Sequence, residues 1–362
     1  MTGSSMRVQG GGLVGKRGDM DLTSRTGAAS ARSSHAPVAL VAGASRGLGL
    51  LVSRELARRG HVVVGLSRDS DALAGAQEAM RGWGQELHTA VADVRDEARL
   101  REVVAQVEAE HGPIEVAIHV AGVIQVGPEE CFDRSHYEEA IDIMLWGPIN
   151  LTQAVLPGMR SRRRGRLGVV TSIGGMISVP HLVPYSTAKF GAVGYTRGLS
   201  MELVGTGVTA TTIVPGLMRT GSHVQASFVG DAAAEYAWFA PGASLPLVSM
   251  DAERAASAMV DGVLAGRGLV LLSPLTKIGV RVEGLAPATT GVLLGVMARL
   301  LPSAPRGGEG RETVLGHDAR ARLSSSVVEK LTTLGTRASA RFNENRRPRP
   351  AAGVRSETTH RG

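Results

Sequence analysis

Val38-Ala39-Leu40-Val41-Ala42-Gly43-Ala44-Ser45-Arg46-Gly47-Leu48-Gly49 decides the fold. Five apolar residues run without alternation, as in a strand covered on both faces. Three glycines follow at the spacing G-x-x-x-G-x-G, and an apolar helical pattern starts within them. Glycine lets a backbone turn tightly and lie against a bulky anion, and a helix N-terminus offers free N–H groups and a positive dipole end. Glycine is common here, with 47 residues, so the trio gains weight only from its strand–turn–helix setting.

Outward from this unit the same rhythm continues. Residues 61–66, 87–91, 114–120, 167–172, 208–214 and 269–273 read as further strands, and 48–59, 97–110, 137–159, 184–204 and 252–265 as helices. Alternation of this kind predicts an α/β fold with a doubly wound parallel sheet. Residues 37–273 are expected to form one catalytic domain. Residues 1–36 form an expected disordered tail, 274–302 an apolar C-terminal helical extension, and 303–362 a basic tail expected to be disordered. Within the domain, residues 221–250 read as irregular and carry Phe228, Tyr236, Trp238 and Phe239, which suits a substrate lid or an excursion packed on its own rings. The extension, Ile278–Leu301, is too interrupted for a membrane span. Docking on the core is the leading expectation for it, with a partner subunit or a membrane surface as alternatives.

Composition narrows the function classes. The 362 residues are 43% hydrophobic but only 3% aromatic, so Ala, Val, Leu and Gly must build the core. The single Cys131 excludes an internal disulfide and a thiolate metal cluster, and no metal is expected. The net charge of +7 lies in the tails: residues 1–36 carry +3 and residues 303–362 carry +6, leaving the middle at −2. A nucleic-acid-binding core does not fit that distribution. The first residues show no apolar signal-peptide stretch, which points to the cytoplasm.

The second strand ends in Gly65-Leu66-Ser67-Arg68. Dinucleotide sites that prefer NAD place an acid at this strand end to hold the ribose 2′-hydroxyl. Ser67 stands there instead, Arg68 follows, and Arg46 lies in the glycine-rich turn. Two guanidinium groups without a carboxylate suit a 2′-phosphate, so NADP(H) is expected over NAD(H). Asp69 stands one residue beyond the acid's place. Tyr185 and Lys189 form Y-x-x-x-K on one helix face, and Ser172 ends a buried strand thirteen residues before the tyrosine.

This set resembles the short-chain dehydrogenase/reductase family over residues 37–273, with Ala42 where the family's motif begins with Thr. The resemblance implies a Rossmann-type fold and the catalytic residues Ser172, Tyr185 and Lys189. It implies cofactor contacts from Gly43, Ser45, Arg46, Gly47, Leu48, Gly49, Arg68, Asp93, Val94, Ala121, Gly122, Tyr185, Lys189, Pro215, Gly216 and Thr220. In the implied chemistry Tyr185 is the general acid/base, Lys189 lowers its pKa and holds the nicotinamide ribose, and Ser172 hydrogen-bonds the reacting oxygen. The substrate expected is a hydrophobic carbonyl/alcohol pair, and the family suggests a homo-oligomer. The chain departs from the family at His119-Val120, where two asparagines are usual, and at Met144, where an asparagine usually holds a relay water. Those departures motivate an alternative, a non-catalytic NADP(H)-binding sensor or scaffold. Peripheral membrane contact through 278–301 would concern location rather than chemistry.

Overall fold

Strand β1 (Val38–Ala42) is buried at all five positions and lies inside a seven-stranded parallel sheet. The others are β2 (Val62–Ser67), β3 (His88–Val91), β4 (Ile114–His119), β5 (Gly165–Val170), β6 (Val208–Val214) and β7 (Leu269–Leu271). Their order across the sheet is β7-β6-β5-β4-β1-β2-β3. The side on which successive strands are added reverses between β1 and β4, where Ala42 pairs with Leu66 on one side and His119 on the other. Crevices at such a reversal, beyond the carboxyl ends of the strands, are where open α/β sheets bind ligands. The computed structural model describes residues 36–245, 249–305, 310–323 and 325–344.

Helices α1 (Gly47–Arg58), α2 (Ser70–Gly82) and Ala252–Leu264 cover one face of the sheet. That layer holds Leu50, Leu56, Met80 and Met259 against Val41, Val63 and Ile213. Helices α3 (Glu97–His111), α5 (Gly147–Ser161) and α6 (Val183–Glu202) cover the other with Leu100, Val103, Leu151, Met159 and Ala188. Two separate apolar layers are what a doubly wound sheet requires.

Four elements differ from the sequence reading. The helix expected over 137–159 is α4 (Arg134–Ile141) joined to α5 through a π-helical turn, Asp142–Trp146. Residues 221–250, read as irregular, contain the helix Ala232–Gly242. Phe228, Tyr236 and Phe239 are buried there with Val126, Leu182 and Val314 in a third cluster, so these rings pack on one another rather than line an opening. The extension forms helices Pro274–Leu285 and Pro287–Ala298. The first buries only Thr276 and the second buries nothing, so the expected docking fails for the second helix. Finally, the basic tail read as disordered carries helices Gly316–Leu323 and Ser326–Arg341, and Val314–Leu315 pairs antiparallel with Ser227–Phe228. These helices bury small or polar residues such as Ala319, Thr332 and Ser339, which an apolar-periodicity reading does not register. Residues 1–35, 306–309, 324 and 345–362, the remaining parts of both expected tails, lie outside the described residues.

Candidate active site

The glycine-rich turn is shaped by contacts that only glycine permits. Gly43 has φ +87°, and a Cβ there would lie 2.5 Å from the backbone nitrogen of Ala121. A Cβ on Gly49 would run into the Gly43 carbonyl oxygen. The turn hangs on the ends of two neighbouring strands: Gly43 N–H donates to Leu66 O at 2.9 Å, and Val120 N–H donates to Ala42 O at 2.8 Å. Ser45 is buried in the turn, and Leu48 packs on the α1 face of the core. Helix α1 begins with no side chain capping its free amides. Such an end suits an anion.

An anion from the same chain lies against it. Glu344 places one carboxylate oxygen 2.6 Å from where a Cβ on Gly47 would stand, and the other accepts the Gly221 N–H. Gly47 N–H donates to Phe342 O at 2.8 Å. The Glu344 carboxyl thus occupies the space beside the first residue of α1. Burial pushes the Glu344 carboxyl up to about 7, against the opposing pull of the Gly221 N–H and Arg46.

The charged groups expected to read the cofactor's far end share this region. Burial lowers Arg46, whose charge is felt by Glu344, Arg68 and Asp69. Arg68 is exposed at the end of β2. Asp69 accepts from the N–H groups of Asp71 and Ala72, so its carboxylate is engaged as the cap of α2. Asp93 is gripped by Arg95, whose Nη2 lies 2.6 Å from Oδ2. Burial raises the Asp93 carboxyl, but the Arg95 hydrogen bonds and charge outweigh it and the net direction is down. Val94 is buried beside it.

The hydroxyl, phenol and ammonium are brought together. Ser172 follows β5, and its Oγ accepts the Gly174 N–H at 3.0 Å. Tyr185 lies in the first turn of α6 and hydrogen-bonds Ser172. One turn later, Lys189 is buried with Nζ 5.7 Å from the Tyr185 ring centre, donating to Val170 O at 2.9 Å. Lys189 also faces Gly122, where a Cβ would stand 3.8 Å from Nζ. Burial pulls Lys189 down to about 8. Burial also raises Tyr185, with the Ser172 hydrogen bond opposing. This differs from the expectation that Lys189 lowers the phenol. Desolvation dominates, and the Tyr185 phenol stays protonated near neutral pH.

Pro215, Gly216 and Thr220 form the facing wall. Pro215 O accepts the Ile173 N–H at 2.8 Å, tying this wall to the Ser172 turn. Gly216 lies under the start of the 274–285 helix, where a Cβ would meet Thr276 Oγ1 at 2.5 Å. Thr220 is buried, and its Oγ1 accepts the Ser222 N–H at 3.3 Å.

The departures take definite places. His119 is buried and has no hydrogen-bond partner on Nε2. Burial and the Lys189 charge hold it down at about 3, so it is neutral and unsuited to proton transfer. This is a more buried and less satisfied histidine than a semi-buried, hydrogen-bonded one. Met144 lies in the π turn, buried, with its sulfur 3.4 Å from where a Cβ on Gly122 would stand.

The sequence reading missed two groups of residues. Phe342, Asn343 and Glu344 reach the glycine-rich turn from a tail that carries no motif. His181 meets the fully buried Glu235 at 2.9 Å, and Trp238 Nε1 donates to the same carboxylate at 2.6 Å. That cluster ties the helix Ala232–Gly242 to the loop leading into Tyr185.

The chain is similar to several known proteins. The family profile described as short chain dehydrogenase matches residues 37–227. A Streptomyces violaceoruber protein named as ketoacyl reductase 1 of the granaticin polyketide synthase is 34% identical over 203 residues, covering 56% of this chain and 75% of its own. A gluconate 5-dehydrogenase of Gluconobacter oxydans is 32% identical over 182 residues, covering 50% and 71%. Among solved structures, a short-chain dehydrogenase from Streptomyces avermitilis superposes with TM-score 0.63 at 25% identity, covering 74% of this chain and 99% of that one. An actinorhodin polyketide ketoreductase variant crystallised with NADPH gives TM-score 0.58 at 27% identity, covering 65% and 95%. The chain therefore belongs to the short-chain dehydrogenase family of oxidoreductases, which act on keto and hydroxyl groups.

Proposed function

We propose that this chain is an NADP(H)-dependent reductase of a hydrophobic ketone, with a ketoacyl or polyketide-type carbonyl as the substrate class. The observation that carries the reading is the joining of Ser172, Tyr185 and Lys189 at the carboxyl end of β5, beside the glycine-rich cradle. Arg46 and Arg68, with Asp69 engaged as a helix cap, support a 2′-phosphate. The ketoacyl reductase relatives and the NADPH-bound neighbour support the substrate class and cofactor by likeness. An apolar approach fits too: Ile177 and Leu182 are buried beside the site, and Gly279 of the extension packs on Ile173 and Ile177.

A bound nicotinamide supplies the hydride to the carbonyl carbon. Tyr185, neutral and half-buried, gives its proton to the carbonyl oxygen as charge builds there. Ser172 accepts from Gly174 and bonds the Tyr185 phenol, so its hydroxyl would turn from the phenol to donate to the same carbonyl oxygen. Lys189 keeps one N–H on Val170 O, which fixes the ammonium and leaves its other donors for the ribose hydroxyls. Met144 offers no strong hydrogen bond, so the proton returning to Tyr185 comes by way of Lys189 and solvent rather than through a side chain at 144.

The test is NADPH consumption with a panel of β-ketoacyl thioesters and polycyclic ketones, run beside Tyr185→Phe. Turnover by the parent chain, and a loss of ~100-fold or more in the variant with NADPH binding retained, is expected. NADPH binding with no turnover across the panel would replace this reading with that of a sensor. Self-association and contact of 278–301 with a membrane are carried as proposals, tested by sedimentation alone and with liposomes.

A further inference from the structure

We infer that residues 342–344 form an autoinhibitory strap that occupies the pyrophosphate cradle and must leave before a dinucleotide binds. The inference rests on reading the Gly43–Gly49 turn as the dinucleotide site. Three consecutive residues staple both walls of the cleft. On the turn side, the Gly47 N–H, the first amide of α1, donates to Phe342 O at 2.8 Å. Asn343 Nδ2 donates to Ser45 O at 2.8 Å and to Ala72 O at 3.2 Å. On the facing wall, Glu344 takes the Gly221 N–H, and its carbonyl oxygen accepts from Gln225 Nε2. Glu344 N–H donates back to Ser339 O at 2.9 Å, which closes the strap onto the end of its own helix.

The chemistry at the contact is that of a phosphate. The Glu344 carboxyl lies beside a helix N-terminus that no side chain caps, and within the field of Arg46. A backbone amide has one proton, so Gly47 cannot serve Phe342 and a pyrophosphate together. The space is exclusive as well, since Glu344 Oε1 stands 2.6 Å from the position of a Gly47 Cβ, where a close-approaching phosphate needs room. The strap is anchored rather than loose. The Phe342 ring is 4% exposed in the α1–α2 side of the core, and the helix Ser326–Arg341 leads directly into it. Tethering of this kind keeps the effective concentration of the carboxylate high, while the short strap itself can swing out without unfolding the helix.

A strap docked in nine molecules of ten weakens apparent cofactor affinity about tenfold, and in ninety-nine of a hundred about a hundredfold. The experiment measures NADPH dissociation constants for the full chain, for Glu344→Ala in the full chain, and for a chain ending at Arg341, which removes all three strap residues and frees the Gly47 amide. Affinity should tighten by ~10-fold or more in both altered chains. In parallel, hydrogen–deuterium exchange of the unaltered chain should rise at residues 342–344 when NADPH is added. Equal affinities together with unchanged exchange overturn the strap and leave the cofactor reading standing. No NADPH binding by any of the three, the chain ending at Arg341 included, overturns both.

Discussion

Lys189 should make the fold less stable, and its removal should show this quantitatively. Its ammonium is buried, and its pKa falls from the ordinary 10.5 to about 8 because burial penalises the charge. The unfolded chain therefore holds this proton more tightly than the folded one between those two values. A depressed lysine costs stability below its folded pKa, and the cost fades as pH rises toward the unfolded value. The gap of about 2.5 pH units is worth about 3 kcal/mol. Lys189→Met keeps the volume and removes the charge, at the loss of the hydrogen bond to Val170 O, about 1 kcal/mol. Urea unfolding at pH 7.5 and pH 10.5 reads the difference. The methionine variant should gain on the parent by about 2–3 kcal/mol at pH 7.5 compared with pH 10.5, because the parent recovers as Lys189 loses its proton. The difference between the two chains cancels every other group that titrates in this range. Parallel stability profiles for the two chains would show that Lys189 is not held charged in a desolvated place. The same variant should lose ketone reduction, which would identify the ammonium as a group kept for chemistry at the expense of stability.

Gly43→Ala should destabilise the fold by ~2–4 kcal/mol, because a strained φ is joined by a backbone clash with Ala121. Gly60→Ala, at φ +82° with open space around it, should cost only about 1 kcal/mol, and equal costs in urea unfolding would remove the clash from the account. Arg46→Ala with Arg68→Ala should weaken NADPH binding by ~100-fold and leave NADH within about threefold. A parallel fall for both cofactors would refute the 2′-phosphate assignment. Glu235→Ala removes a carboxylate shared by His181 and Trp238. Its melting temperature should fall by roughly 5–10 °C, from about 3 kcal/mol of lost buried pairing. An unchanged melting curve would show that the pair adds nothing.

What could be read from the sequence was local. The strand–turn–helix around Gly43, the Ser172 strand end and the Tyr185/Lys189 spacing each need only a few neighbouring residues, and the sheet follows from repeating such units. Three things needed distance. Glu344 reaches Gly221 and Gly47 across more than a hundred residues, and no rule of spacing ties a carboxylate in an Arg/Pro-rich tail to a glycine turn. The direction of the Tyr185 shift depends on how deeply the phenol is desolvated, which the presence of Lys189 in the sequence does not reveal. The 316–323 and 326–341 helices were hidden because they bury alanine, threonine and serine where an apolar stripe was sought. The π turn at Asp142–Trp146 was unreadable for another reason: one added residue leaves the hydrophobic pattern on either side almost unchanged.

That turn makes length, rather than identity, the constrained property of residues 134–161. The wide turn already absorbs one extra residue, so it is the loss of a residue from the α-helix before it, with the turn left intact, that would rotate everything downstream by ~100°. Asn150, whose Nδ2 donates to Val94 O at 3.0 Å, would swing off its acceptor. Gly147, which sits where a Cβ would meet His119 Nε2 at 2.8 Å, would be replaced at that contact by a residue carrying a side chain. Point changes such as a methionine in place of an asparagine at 144 are absorbed here, whereas a single-codon deletion would shift every later side chain of the helix at once.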